Sequence, residues 1–324
     1  MNRGALLALG FLIVIPAVAL LCLVVGGTNI SLFNMSDTDR TIIFDVRLPR
    51  ILTALLVGAG LAACGCVLQA ILRNPLADPY TLGISGGAAV GVTALLAIGP
   101  VAGLVNALGS FGLPLTAFAG ALAAVGLVFL IASKQRFSVH GLILSGVILS
   151  FIFSGIVMLI FAVSKPTEIQ SAMFWLMGNL ANINYTLMLI VGSLILTGII
   201  IAFILAKDMD VMTLGDEKAV HLGVSPQTTR RTLFIITSLI TGACVAVSGI
   251  IGFVGLMIPH IMRLIVGPSH RMLLINSVLA GALFLAVTDT LARTIMAPNE
   301  LPVGVITGII GGVFFISLLM KKTV

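Results

Sequence analysis

Long apolar runs, broken by short polar segments, make up most of this chain. A run of about 20 apolar residues crosses the roughly 30 Å hydrocarbon core of a membrane as a helix. The runs do not alternate apolar and polar residues, which excludes the strands of a membrane β-barrel. The pattern therefore predicts ten membrane-spanning helices, at residues 5–27, 50–71, 80–99, 112–133, 140–163, 185–206, 231–248, 251–266, 272–293 and 302–320.

Composition leads to the same interpretation. The chain is 59% hydrophobic and 9% charged, whereas a soluble domain carries about 25% charged residues. The net charge of +6 is spread between the apolar runs, so it does not indicate a surface for nucleic acid. We predict an all-α polytopic membrane protein in which residues 1–324 form one transmembrane domain.

Basic residues give the predicted topology. With the N-terminus in the cytoplasm, 12 Lys and Arg residues lie inside and five outside, as the positive-inside rule requires. Joining the seventh and eighth spans would move Arg293 inside and both Lys321 and Lys322 outside, so ten spans with both termini in the cytoplasm fit better. The five outer residues are Arg40, Arg47, Arg50, Lys165 and Arg293.

The densest polar break, "RNPLADPYTLGISGGAAVG" at residues 73–91, has a local explanation. Pro75 ends the second span, and Asp78 followed by Pro79 is typical of a helix start. Glycines then recur at a spacing of four, which lets a neighbouring helix approach closely. The last span repeats this spacing, and the predicted packing glycines are Gly83, Gly87, Gly91, Gly304, Gly308 and Gly312.

Two connections between spans contain further helices. In the cytoplasmic loop at 207–230, Thr213 and Asp216 have the spacing of a capping box, and Gly223 and Pro226 end the short helix. This loop is either a solvated connector or a docking element for a cytoplasmic partner. The outer segment 164–184 is amphipathic and predicts a short helix at the surface.

The sequence indicates no energy source or chemistry of its own. It has no GxxxxGK[ST] motif for nucleotide hydrolysis. Asp289 is the only acid within a predicted span, one turn before Arg293, whereas gradient-driven carriers keep carboxylates at mid-membrane. The four cysteines lie within apolar runs, where small buried residues explain them better than a metal site. Energy from a separate partner is therefore expected.

A weak internal similarity relates the second and seventh spans. Residues 51–65 and 235–249 share seven of 15 positions, among them Gly58 with Gly242 and Gly65 with Gly249. The two helices would run in opposite directions, as in the inverted repeats of many transporters. Chance matches in apolar sequence are the alternative explanation.

Five motifs together resemble the permease subunits of type II ABC importers, which take up iron–siderophore complexes, haem and vitamin B12. They occur in order along the whole chain: "RLPR" at 47–50, "RNPLADP" at 73–79, "LGISGGAAVG" at 82–91, "GFVGLMIPHIMR" at 252–263 and "ELPVGVITGIIGGVFF" at 300–315.

The resemblance implies a homodimer in a bacterial inner membrane, with the pathway on its two-fold axis and lined by the fifth and tenth spans. It also implies two cytoplasmic ATP-binding subunits, which hold ATP and Mg²⁺, and a periplasmic or lipid-anchored binding protein. No cofactor, metal or catalytic residue is expected in this chain. An iron(III)–siderophore is the expected cargo, with haem or cobalamin as alternatives and an ion-driven secondary carrier as the alternative class.

The resemblance also assigns site residues. The ATPase-coupling pattern is matched by Gly215, Ala219, Leu222 and Gly223. Docking of the binding protein is assigned to Arg47, Arg50 and Arg293, and the cytoplasmic gate to Val139 and His140. Small hydroxyl residues are common at that gate, so the valine and histidine depart from the family pattern.

Overall fold

The computed structural model describes residues 3–26, 35–98, 103, 109–181 and 183–320, and within them the chain is helical with no strand. The predicted span ends at residues 27 and 99, and also Lys321 and Lys322, lie outside the described residues. The helices are α1 (Arg3–Val24), α2 (Asp37–Thr41), α3 (Leu48–Ile71), α4 (Ile84–Ala97), α5 (Gly112–Lys134), α6 (Val139–Val163), α7 (Pro166–Leu176), α8 (Tyr185–Ile204), α9 (Ala206–Met212), α10 (Asp216–His221), α11 (Pro226–Ser248), α12 (Val254–Val266), α13 (His270–Thr294) and α14 (Val303–Met320).

Among the described residues, seven helical segments are long and apolar enough to cross a membrane. Three shorter apolar helices, α4, α12 and α14, stand where the third, eighth and tenth spans were predicted. The all-α polytopic class is confirmed, and the count of ten crossings stays a prediction. The short helices α9 and α10 occupy the predicted cytoplasmic loop, and α7 occupies the predicted outer segment.

The second span begins earlier than predicted, because α2, a π-helical segment at Ile42–Arg47 and α3 form one continuous rod. Ser36 and Asp39 form a capping box at its start. Pro49 lacks an N–H and crowds the preceding turn, and the Leu48 N–H bonds to Ile43 O, five residues back. The wider π turn thus carries the helix through the proline, where the prediction began a new helix.

Helix α3 is the centre of the bundle. Nearly all of its residues are buried around its whole circumference, as expected for a helix that is apolar on every face. It packs against α13, α11, α12 and α8. The other elements are therefore arranged around α3.

Glycine pairs allow the backbones to meet where α3 crosses its neighbours. A β-carbon at Gly58 would overlap with Gly281 O on α13, and one at Gly65 would overlap with Gly255 on α12. Such contacts between small residues substitute for the hydrophobic driving force that is absent between helices in lipid. Sequence reasoning did not predict any of these four glycines as a packing position, although Gly58 and Gly65 stood out in the internal similarity.

The predicted glycine spacing in α4 produces close packing at two of its three positions. Gly87 and Gly91 lie against Gly120 and Thr116 on α5, with no room for a β-carbon. Gly83 serves a different purpose: its φ of 77° is left-handed, and it joins the 3₁₀ turn at Pro79–Leu82 to α4. That turn begins as predicted, with the Asp78 carboxylate accepting the Tyr80 N–H at 2.8 Å.

The three predicted packing glycines of α14 lie in different surroundings. Gly304 lies against the carbonyls of Met177 and Ile250, whereas Gly308 and Gly312 have no described atom within 4 Å of a β-carbon position. Gly311 packs on Phe253 instead. The structure differs from the expectation because only one side of α14 faces the bundle.

Helices α11 and α12 are separate, as predicted, although α11 begins at Pro226, ahead of the predicted residue 231. The non-helical residues 249–253 between them are held by Tyr80, whose hydroxyl donates to Ile251 O at 2.9 Å. Helices α3 and α11 pack side by side, with the Cys64 thiol at one level 3.4 Å from Thr237 O and the Cys244 thiol at another 3.9 Å from Val57 O. This pairing is antiparallel, and the inverted repeat stays a prediction.

We expect Gly87→Ala to lower the melting temperature of the purified protein, because the added methyl group overlaps with Gly120 and Ala124. Overpacking of this kind costs about 1–3 kcal/mol. Gly126→Ala is the matched control, since nothing lies within 4 Å of its β-carbon position on α5. Equal melting temperatures for the two variants would contradict the α4–α5 packing.

Candidate coupling and docking sites

Helices α9 and α10 connect α8 to α11 at one end of the bundle, here called the cytoplasmic end after the predicted topology. Gly215 and Gly223 flank α10 with φ angles of 112° and 81°, which side chains rarely adopt. Within α10, Ala219 is buried and Val220 is exposed, and Leu222 directly after the helix is also exposed. The four residues assigned to coupling therefore shape a short helix that presents apolar side chains outward.

The predicted capping box of α10 is wrong. The Thr213 hydroxyl donates to Asp210 O at 2.7 Å, and no side chain caps the helix at Gly215. Asp216 accepts instead from Arg73 and from Arg230, the latter at 3.0 Å. Partial burial acts to raise the pKa of Asp216, but the two guanidinium groups hold it below its usual value. The carboxylate is thus committed to ion pairs and unavailable to the helix terminus.

These ion pairs tie α10 to the rest of the cytoplasmic end. Arg230 is buried and also donates to Phe137 O, just before α6, at 3.2 Å. Arg73, just after α3, also donates to Met212 O on α9 at 3.1 Å. Sequence reasoning used both arginines only as topology signals. Their position next to the ends of apolar helices is the sequence feature that could have indicated these contacts.

A second contact holds the start of α13 against α9. Asp210 Oδ1 lies 2.6 Å from His270 Nδ1 and accepts the His270 backbone N–H at 2.9 Å. The cytoplasmic ends of α3, α6, α11 and α13 are therefore all linked to the loop that contains α10.

At the opposite, outer end, the three arginines assigned to docking converge, and all three are buried. Arg47, Arg50 and Arg293 are each 5% exposed. Arg50 Nε lies 3.0 Å from both oxygens of Asp289, and its Nη1 lies 2.7 Å from Glu300 Oε2. Arg293 Nε lies 3.3 Å from Asp289 Oδ2. This group of five side chains is called the outer ion cluster below.

The outer ion cluster also caps α1. Arg47 Nη1 donates to Leu23 O at 2.7 Å and to Val24 O at 2.9 Å. Arg293 Nη2 lies 3.3 Å from Cys22 O. The last carbonyls of a helix have no partner within it and carry partial negative charge. In the described part of the chain the three arginines therefore do not form an exposed basic surface, because they satisfy buried acceptors of their own chain.

The docking role of these arginines stays a prediction. Glu300 is the most accessible acid of the cluster, with a side chain 46% exposed, and it covers Arg50. A carboxylate from another protein would have to displace Glu300 to reach that guanidinium group.

A cavity of about 840 Å³ opens beside the outer ends of α5, α7, α8 and α11. Its lining combines the aromatic rings of Phe174, Trp175 and Tyr185 with the amides of Asn179 and Asn184. Such a surface suits a partly apolar ligand or a protein side chain.

The predicted gate residues Val139 and His140 begin α6 at the cytoplasmic end, directly after Ser138, whose hydroxyl caps Gly141 N at 3.1 Å. Val139 is half-buried and His140 is exposed. Their role as a gate stays a prediction.

We expect Arg50→Met to destabilise the protein by about 3 kcal/mol, because removing one partner leaves buried charge uncompensated. Adding Asp289→Leu should lower stability further, because Arg293 Nε, 3.3 Å from Asp289 Oδ2, would then lose its own buried carboxylate partner. The measurement is a double-mutant comparison of melting temperatures, and exposed Arg40→Met is the matched control. An Arg50→Met protein as stable as the Arg40→Met protein would contradict the cluster's structural role.

Comparison with known proteins gives a consistent result over the whole chain. The FecCD transport family matches residues 11–321. The hemin transport system permease protein HmuU of Yersinia pestis is 36% identical over 326 residues, covering 98% of this chain and 96% of HmuU. The cobalamin import system permease protein BtuC of Halobacterium salinarum is 40% identical over 293 residues, covering 90% and 77%.

A solved structure agrees with these relatives. It is described as an inward-facing conformation of a metal-chelate type ABC transporter, and it shares 35% identity and a TM-score of 0.88, covering 97% of this chain and 98% of that one. The match extends over all five sequence motifs, both ends of the bundle and the loop that contains α10. The chain therefore belongs to the FecCD transport family and is a multi-pass membrane permease.

Proposed function

We propose that this permease forms the membrane pathway through which an ATP-driven importer moves an iron(III)–siderophore complex into the cell. Haem and cobalamin are the alternative cargoes. The family match over residues 11–321 is the observation that carries the proposal. A bacterial inner membrane, with both chain termini in the cytoplasm, is the proposed location.

Energy comes from two separate ATP-binding subunits that hold ATP and Mg²⁺ in the cytoplasm. The exposed side chains of Val220 and Leu222 on and after α10 support this part of the proposal, because an apolar surface at a polar loop suits a protein partner. Motion imposed on α10 reaches α3 and α11 through the Asp216 ion pairs.

A binding protein delivers the cargo at the outer end. Docking through Arg47, Arg50 and Arg293 proceeds by exchange, in which an acidic side chain of the binding protein replaces Glu300 on Arg50. Docking at the outer ion cluster then displaces α1 and α13, because carbonyls of α1 and side chains of α13 are bonded to its arginines.

A second copy of the chain completes the pathway. Helices α6 and α14 carry exposed apolar faces, and Gly308 and Gly312 leave open space on α14. Small residues of this kind permit a close helix–helix contact. ATP binding and hydrolysis favour outward-open and inward-open arrangements in turn, by binding the two states with different affinity.

The permease, reconstituted with its ATP-binding subunit and binding protein in vesicles, should accumulate an iron(III)–hydroxamate only when ATP is supplied. A matched sample with a catalytically inactive ATP-binding subunit should accumulate none. Uptake of haem or cobalamin by the same vesicles distinguishes the three cargoes. Uphill transport by this chain alone, abolished by collapsing ion gradients, would show a secondary carrier instead.

Leu222→Asp should weaken association with the ATP-binding subunit, because it places a desolvated charge in an apolar contact. The expected loss is at least about tenfold in affinity, or about 1.4 kcal/mol, measured by co-purification. Met173→Asp is the matched control, since it makes the same kind of change to an exposed residue at the other end of the bundle. Unchanged co-purification of the Leu222 variant would exclude this surface as the ATPase contact.

A further inference from the structure

A second cavity, of about 580 Å³, lies at the cytoplasmic end, where Arg73, Asp210 and His270, whose ion pairs are described above, form part of its lining. It is bounded by the end of α3, the turn that follows it, α9, the end of α12 and the start of α13. The "RNPLADP" and "GFVGLMIPHIMR" motifs both reach it, through Arg73 and Arg263. We call it the inner pocket.

Two buried side chains in the inner pocket have unused hydrogen-bonding atoms. His270 is 4% exposed and Gln69 is 3% exposed, yet His270 Nε2 and Gln69 Oε1 have no partner among the described residues. The other polar atom of each is engaged, since Nδ1 faces Asp210 and the Gln69 amide donates to Leu256 O at 3.2 Å. Buried polar atoms of this kind are ordinarily satisfied, so both atoms indicate a missing hydrogen-bond donor.

The inner pocket also has a guanidinium group that the described residues leave without a hydrogen-bond partner. Arg263 forms no hydrogen bond or ion pair with any described residue. Arg73 is present as a second guanidinium group, already paired with Asp216, and Asp210 is the acid in the lining, already engaged by His270. When Asp216 and its second partner Arg230 are counted as well, three guanidinium groups stand against two carboxylates, so the pocket and its surroundings keep one positive charge.

Exposed apolar residues follow Arg263 directly in the sequence. The next two residues, Leu264 and Ile265, are exposed apolar side chains at the end of α12. An amphiphile could place its polar head in the pocket and its chains along these residues. Basic pockets between helices on the cytoplasmic side are typical sites for anionic lipid heads.

We propose that the inner pocket binds a phosphate ester bearing a free hydroxyl group. The phosphate oxygens accept from Arg263 and Arg73, and the hydroxyl group donates to His270 Nε2 or Gln69 Oε1. Guanidinium groups suit phosphate because their N–H groups match its oxygens in pairs. The source is either the glycerol headgroup of a membrane lipid or a free glycerol phosphate, which have the same chemistry.

The test uses the full-length protein, purified in detergent and delipidated, and measures binding of phosphatidylglycerol by native mass spectrometry and by the shift in melting temperature. Free glycerol phosphate is titrated in parallel. Saturable binding of one lipid per chain, with no competition by millimolar glycerol phosphate, identifies the lipid as the ligand. Binding of glycerol phosphate at micromolar concentration identifies the free ester.

Arg263→Gln should weaken binding at least about tenfold, because it removes a charge-assisted contact. Lys134→Gln is the matched control, since it removes one exposed charge from the same end of the bundle. Gln69→Leu, which removes an unused acceptor and leaves the charge unchanged, provides a second variant should Arg263→Gln fold poorly. Its affinity for phosphatidylglycerol should fall, while its affinity for phosphatidic acid, which lacks the glycerol hydroxyl groups, should not.

Equal weakening by Lys134→Gln and Arg263→Gln would overturn the proposal, because binding would then follow net charge alone. Complete exclusion of lipid and ester from the complex with the ATP-binding subunit would also overturn it, since the pocket would then hold a protein side chain. Neither outcome bears on whether the permease transports a metal chelate, so failure here is distinguishable from failure of the proposed function.

Discussion

The structure depends on the burial of α3 among four other helices, with no polar solvent to separate their backbones. In lipid, apolar side chains gain nothing by meeting one another instead of acyl chains, so helices associate through close contact and satisfied polar groups. Gly58 and Gly65 allow the close contact, because without a side chain they let α13 and α12 reach the backbone of α3. Arg50 and Arg73, near its two ends, satisfy polar groups through ion pairs with Asp289 and Asp216.

This arrangement makes α3 a connection between the two ends of the protein. Its outer end meets α13 through Asp289, and its cytoplasmic end meets α10 through Asp216. A tightly packed helix moves as a rigid body, because its neighbours leave no free volume into which it could bend. A displacement at one end of α3 therefore moves the other end as well. The partner sites proposed at the two ends are therefore joined by one rod, which contains a π-helical segment close to the outer ion cluster. Coupling between the sites needs no further pathway than this rod and the loop attached to it.

The sequence was sufficient for the fold class, the positions of the apolar helices and the family, because hydropathy and ordered motifs are local properties. The sequence was insufficient to predict which of two possible partners a side chain or a helix face contacts. Asp216 has the spacing to cap α10, yet Arg73 and Arg230 take its carboxylate because they carry full charges. Gly308 has the same spacing as Gly87, yet only Gly87 faces another described helix. Neither the ion pairs of Asp216 nor the different surroundings of Gly87 and Gly308 can be predicted without knowing which face of each helix is covered by another.

The outer arginines show how the partners of a side chain affect the arguments drawn from basic residues. The topology counted five basic residues outside, three of which are now placed in the outer ion cluster with Asp289 and Glu300. The positive-inside rule counts Lys and Arg residues and is affected little by acidic neighbours, so the contacts with Asp289 and Glu300 do not remove these arginines from the count. The burial of Arg47, Arg50 and Arg293 therefore weakens the case for an exposed docking surface, whereas the count of 12 against five behind the predicted orientation is unchanged.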